Sequence, residues 1–388
     1  MIPRALALLL AAAPAFAAEP RIAADSRVDL VGLLERLSGD PSVPQNPVSD
    51  AAAARFSRWK DHPAVARLAR MRATGFAWNH PVQYALYLSS APAWREAAPA
   101  PEFFAQLAGG RAELDAWRGS LGDFVRVSGF EDWERSRAAA RETELAAVRA
   151  AAGGRDLASP LARYLGARTW GSWTVVVSPF FSNGGGASWV IEEKPGRPDV
   201  VVVYGLFWSK KSFWRRSIMS GGSPDGFAVS AWPEAVFSMA YALYEVCRPA
   251  LKPGPDVCRG LNGLSNAEDC IQQIWVRGIV ARLVDSEYGA KAAAAYRAQW
   301  AASPLQAQVD AVLRAYESGR AAQPDLMSAA GALAAPFSAD GRAPACRLVD
   351  RARWSETVYA RRLAYYLDGR LEARPDAGLS AVRAELPR

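Results

Sequence analysis

From Thr169 to Trp208 the chain reads TWGSWTVVVSPFFSNGGGASWVIEEKPGRPDVVVVYGLFW. Three runs rich in β-branched and aromatic residues, TWGSWTVVVSPF, GASWVIEE and DVVVVYGLFW, are set apart by Asn183-Gly184-Gly185-Gly186 and by Pro195-Gly196. Such runs favour strands, and Gly/Pro punctuation favours turns between them. The stretch predicts a small, mainly antiparallel sheet.

On both sides the hydrophobic period changes to that of helices. Upstream, Asp25 or Ser26 is placed to cap a helix whose apolar stripe is Val28, Leu30, Val31, Leu33, Leu34 and Leu37, with Gly39 as its stop. Helical patterns follow over 51–60, 63–73, 83–89, 113–121, 131–151 and 161–165. Downstream they return over 232–247, 267–286, 290–301, 306–316 and 351–367. The expected fold is α+β and largely helical, with the sheet enclosed by helices. Its organisation is a helical region over 18–168 and a sheet plus helices over 169–388, packed as one unit.

Met1–Ala17 has the pattern of a secretory signal: Arg4, an apolar run from Ala5 to Ala13, and Ala15-Phe16-Ala17 as a small-x-small cleavage site. No other stretch has the roughly 20 uncharged apolar residues of a transmembrane helix. The expected location is periplasmic or extracellular. In an oxidising compartment the four cysteines, Cys247, Cys258, Cys270 and Cys346, suit disulfides, for which three connectivities exist. The favoured one joins Cys247 to Cys258 across a Pro/Gly-rich loop and Cys270 to Cys346. A zinc site is disfavoured, since there is no CxxC pair and no neighbouring histidine.

The inventory restricts the chemistry. Only His62 and His80 are present, each preceding a proline, where a turn or helix start is the expected role. No GxSxG elbow, phosphate-binding loop or dinucleotide fingerprint occurs, and Gly184–Gly186 needs no role beyond a turn. Glu192 with Glu193 and Glu268 with Asp269 are adjacent in sequence, so each pair diverges and reads as solvated charge. The net charge of +7 on 388 residues, with acidic residues spread throughout, gives no reason to expect a nucleic-acid partner.

One helix stands out. In SAWPEAVFSMAYALYEVC, Ser230 can cap, Pro233 suits the first turn, and Glu234, Phe237 or Ser238, Tyr241 and Glu245 follow at three- and four-residue spacing. Together with HPAVARLARMRATGFAWNHPVQYALYLS from His62, VVVSPFFSNGGGASW, and QQIWVRGIVARLVDSEYG, its order resembles an uncharacterised exported bacterial family, the domain of unknown function 4932, over roughly 27–367. That resemblance implies a zincin-type metallopeptidase fold, the sheet packed on a pair of helices. It also implies His-Glu-x-x-His-Ser on a helix and a downstream Glu before Val-Arg. Two imidazoles one turn apart would hold zinc while the Glu activates its water.

Here the pattern departs from the family at each ligand. Pro233 and Phe237 stand where the imidazoles belong, and the downstream position falls near Gln273, a weak ligand beside a carboxylate. Glu234 and Ser238 persist. The implied protein is inactive, holds no metal or other cofactor, and binds a peptide or envelope polymer, with the sheet edge at 187–191 open to strand addition. The rival expectation is a hydrolase using Glu234 as base with a metal on Glu245, Glu268 or Asp269. A further candidate surface is GLFWSKKSFWRRS, where Trp208, Phe213 and Trp214 interleave with Lys210, Lys211, Arg215 and Arg216. This mixture suits a peripheral contact with a glycan, anionic polymer or membrane surface, and equally a solvent-exposed hairpin.

Overall fold

The computed structural model describes residues 20–346 except 78, 98–99, 101–102, 155, 167–172, 182–185, 192–198, 206–231, 234, 238–239, 241–242, 245, 262–263, 265, 299–302 and 324. Its strands are β1 (Arg21–Ala23), β2 (Trp173–Ser178), β3 (Gly186–Ile191) and β4 (Asp199–Gly205). They form one sheet in the order β1-β2-β4-β3. β1 runs parallel to β2 and β2 parallel to β4, in the register Trp173↔Val200 to Ser178↔Gly205; only β3 and β4 are antiparallel.

The expectation of a mainly antiparallel sheet is therefore corrected. β3 does not fold back onto β2; it takes the outer position, and β4 lies between them. The physical reason is visible in β2, whose six residues are all buried. Trp173, Val175 and Val177 face one apolar cluster, while Val176 belongs to the other. A strand covered on both faces reads as a continuous apolar run, and that is the mark of parallel sheets sandwiched by helices. The fold is α+β and largely helical, as expected.

One cluster gathers α1 (Ser26–Leu37), α2 (Pro47–Phe56), α3 (Pro63–Ala73), α4 (His80–Ala85), α5 (Phe103–Leu107), α6 (Arg111–Ser128) and α7 (Phe130–Ser136). The other gathers α8 (Ala138–Ala152), α9 (Ala158–Leu165), the helical residues described within 232–247 (α10), α11 (Ala267–Tyr288), α12 (Ala290–Arg297), α13 (Gln306–Ser318) and α14 (Ala330–Ala334). Local chemistry sets the helix starts. Asp25 accepts from the Arg27 amide, Asn46 and Ser49 form a reciprocal capping box ahead of α2, and Asn266 accepts from the Glu268 amide ahead of α11.

Two glycines permit close packing. A Cβ on Gly32 in α1 would lie 2.3 Å from the Phe180 Cβ, so α1 sits directly on the segment leaving β2. Gly278 lets α11 approach Val309 and Leu313 of α13, with a built Cβ only 3.1 and 3.0 Å from them. α11 is buried on most sides. Complete burial of a large apolar side chain such as Ile274 or Ile279 contributes about 1.5–3 kcal/mol. Among the described residues no helix is long and apolar enough to cross a membrane.

Candidate functional site

The site suggested by the sequence lies on α10 and α11. On α10, Trp232, Ala235, Val236, Ala240, Leu243, Val246 and Cys247 form the buried stripe. The Trp232 indole N–H donates to the Leu157 carbonyl at 2.9 Å, and its ring stacks on Tyr288 at 5.8 Å. Pro233, Phe237 and Tyr244 are half-buried on another face, at four- and seven-residue steps. Neither Pro233 nor Phe237 has a side-chain donor atom for a metal. Glu234, Ser238, Tyr241 and Glu245 lie outside the described residues, as does the whole segment from Trp208 to Arg216.

Facing outward on α11 is a half-buried stripe of Asp269, Gln273 and Arg277 at four-residue steps. Burial raises the Asp269 carboxyl above its ordinary range and lowers the Arg277 guanidinium. Beside them Gln272 is fully buried and donates through Nε2 to Glu268 Oε1 at 3.2 Å. Glu268 also lies 3.8 Å from Arg248. Of the carboxylates named for an alternative metal site, Glu268 thus has protein partners and Asp269 a desolvated setting. Among the described residues no group of three or more His, Cys, Asp or Glu side chains is arranged to hold a metal ion.

Both histidines are committed elsewhere. His62 caps α3, its Nδ1 accepting from the Ala64 amide at 3.1 Å while Nε2 pairs with Asp123 at 3.1 Å. His80 opens α4 with Nδ1 3.3 Å from the Gly75 carbonyl, and burial lowers its pKa. Both lie at helix starts, as the His-Pro dipeptides predict.

All four cysteines are in disulfides, with a connectivity other than the favoured one: Cys247 joins Cys346, and Cys258 joins Cys270. The loop after α10 does not close on itself. Leu251 bridges to Ser338 and the Lys252 amide donates to the Phe337 carbonyl at 2.8 Å, which brings Cys247 beside the segment ending at Cys346. The turn holding Cys258 instead folds onto the first turn of α11. Two disulfides suit an oxidising compartment.

Comparisons with protein-family models, curated proteins and solved structures find no match to this chain. The likeness to the exported metallopeptidase-like family rests on the order of its sequence segments.

A polar cluster that the sequence reading missed lies at the end of β2. Asp29, fully buried in the first turn of α1, accepts from the Ser178 hydroxyl at 2.6 Å and from Arg141 at 2.5 Å. Arg141 in turn makes two bonds to Glu134, at 2.5 and 2.6 Å, and Arg137 pairs with Glu144 at 3.3 Å. Burial, with Glu134 adding to it against the opposing Arg141, pushes the Asp29 carboxyl up to about 7. The cluster ties α1, α7, α8 and β2 together across the sheet. Its sequence signal was weak, because Asp29 sits inside an apolar stripe and its partners are 112 and 149 residues away.

Proposed function

We propose that this chain is an exported, metallopeptidase-like protein that binds an extended peptide without metal-dependent hydrolysis. The observation that carries this reading is the commitment of both histidines to helix starts among α3, α4 and α6. With four oxidised cysteines, the chain has neither a thiolate nor an imidazole to offer at α10, where Pro233 and Phe237 occupy the ligand positions. Zinc hydrolysis needs such donors. The binding surface in this reading is β3, the outer strand of the sheet, whose partner among the described residues is β4. An outer strand offers alternate backbone N–H and C=O groups to an added strand.

The test combines metal analysis with binding of a library of short extended peptides. Purified protein is expected to carry no stoichiometric zinc, and Glu234→Gln is expected to leave peptide affinity unchanged. Along an antiparallel strand, neighbouring residues point their N–H groups to opposite sides. One of Ser188→Pro and Trp189→Pro should therefore disturb the β3–β4 ladder and lower Tm. The other should keep Tm and lose peptide binding. Zinc at one per chain with Glu234-dependent peptide cleavage would overturn the proposal.

A further inference from the structure

A groove runs along α6 on the side of the molecule built by the first seven helices, away from α10 and α11. Its two lobes have volumes of ≈ 620 and ≈ 210 Å³ and meet where Pro92 and Trp94 lie over Gly122. The larger lobe falls in the size range of small-molecule sites.

Three features of this groove oppose local stability and have no compensation among the described residues. Trp94 has φ +45°, a left-handed backbone that a bulky side chain rarely adopts. Its indole N–H is buried with no acceptor among the described residues. Gly119, in the interior of α6, costs helix stability relative to alanine, yet no described atom lies within 4 Å of where its Cβ would be. Gly122 is different, since a Cβ there would meet the Pro92 carbonyl and Trp94 Cδ1, both at 3.4 Å. Packing thus accounts for one glycine of the floor and not for the other. The bare helix backbone at Gly119 leaves room for a ligand that approaches closely.

The walls indicate which ligand. Arg118 pairs with Asp115 at 3.0 Å, Arg126 with Asp123, and Arg135 with Asp132. Each is a three-residue step along a helix, and Arg95 and Glu131 complete the charged lining, so four guanidiniums are balanced by four carboxylates. An anionic polymer would meet the four carboxylates, and a cationic peptide would meet the four guanidiniums. A neutral polyhydroxylated chain is repelled by neither. Its hydroxyl groups donate and accept at once, which matches walls of paired donors and acceptors, while its C–H faces suit the Pro92 and glycine floor.

We infer that the α6 groove is a binding site for a neutral oligosaccharide. The inference is independent of the reading of α10. Its test is titration of the full chain with gluco-, chito- and xylo-hexaoses at about 1 mM and below, followed by tryptophan fluorescence and Tm. At least one should bind the native protein. Gly119→Trp, which fills open space above the helix, should weaken that binding at least tenfold with Tm unchanged or raised. Arg118→Ala should weaken it several-fold. Absence of binding by every hexaose, equal binding by Gly119→Trp, or capture only of charged peptides in the groove would each overturn the assignment.

Discussion

Asp29 is the residue at which fold and pH meet. In the unfolded chain its carboxyl ionises near 4, but in the fold it keeps its proton up to about 7. Between those values unfolding releases a proton, so the stabilisation is complete below the lower value and lost as pH rises through the upper one. Glu35, also raised by burial and by the nearby Asp40, acts in the same direction. His80 acts oppositely: its lowered pKa means that stability is lost as pH falls below about 6.5. We expect the urea midpoint to fall as pH rises from about 4 to about 7, and Asp29→Asn to flatten much of that slope. Denaturation series followed by tryptophan fluorescence measure it. A buried aspartate flanked by Leu30, Val31 and Val28 reads in sequence only as a first-turn acid favoured by the helix dipole. Its partners come from α8 and β2, distances in chain that no local pattern reports.

At the scale of elements, the helix starts were the most legible part. α3 occupies 63–73 as predicted, Asp25 caps α1, and the two His-Pro dipeptides open helices, because capping is a local interaction. The sheet was legible in its strands and not in its order. A mixed sheet and an antiparallel one contain the same β-branched runs, and only the lack of polar alternation in WTVVV hinted that β2 is covered on both faces. Gly32 tests that packing. Gly32→Ala places a methyl against Phe180 where none fits, and overpacking of this kind costs about 1–3 kcal/mol or more. Gly119→Ala, with open space, should instead stabilise α6 by up to about 1 kcal/mol. Thermal melts of the two variants should move in opposite directions. The disulfides were legible in number and not in pairing. By loop-closure entropy, the Cys247–Cys346 link spanning 99 residues should be worth about 5 kcal/mol and the Cys258–Cys270 link spanning 12 about 3. Paired Cys→Ser variants should rank in that order in denaturant midpoint.

At the scale of the whole molecule, the fold is cross-linked by two disulfides. Chelator treatment is expected to leave Tm unchanged, because no group of three or more His, Cys, Asp or Glu side chains among the described residues is arranged to hold a metal ion, whereas reductant is expected to lower it. A parallel scan in EDTA and in dithiothreitol distinguishes the two. The α6 groove had no sequence signal of its own, because it is made only where the segment holding Pro92 and Trp94 crosses α6 at Gly122. A different consequence follows from β1. Its three residues pair with Thr174, Val175 and Val176, about 150 positions later, so this side of the sheet closes only after the intervening helices α1 to α9 have been made.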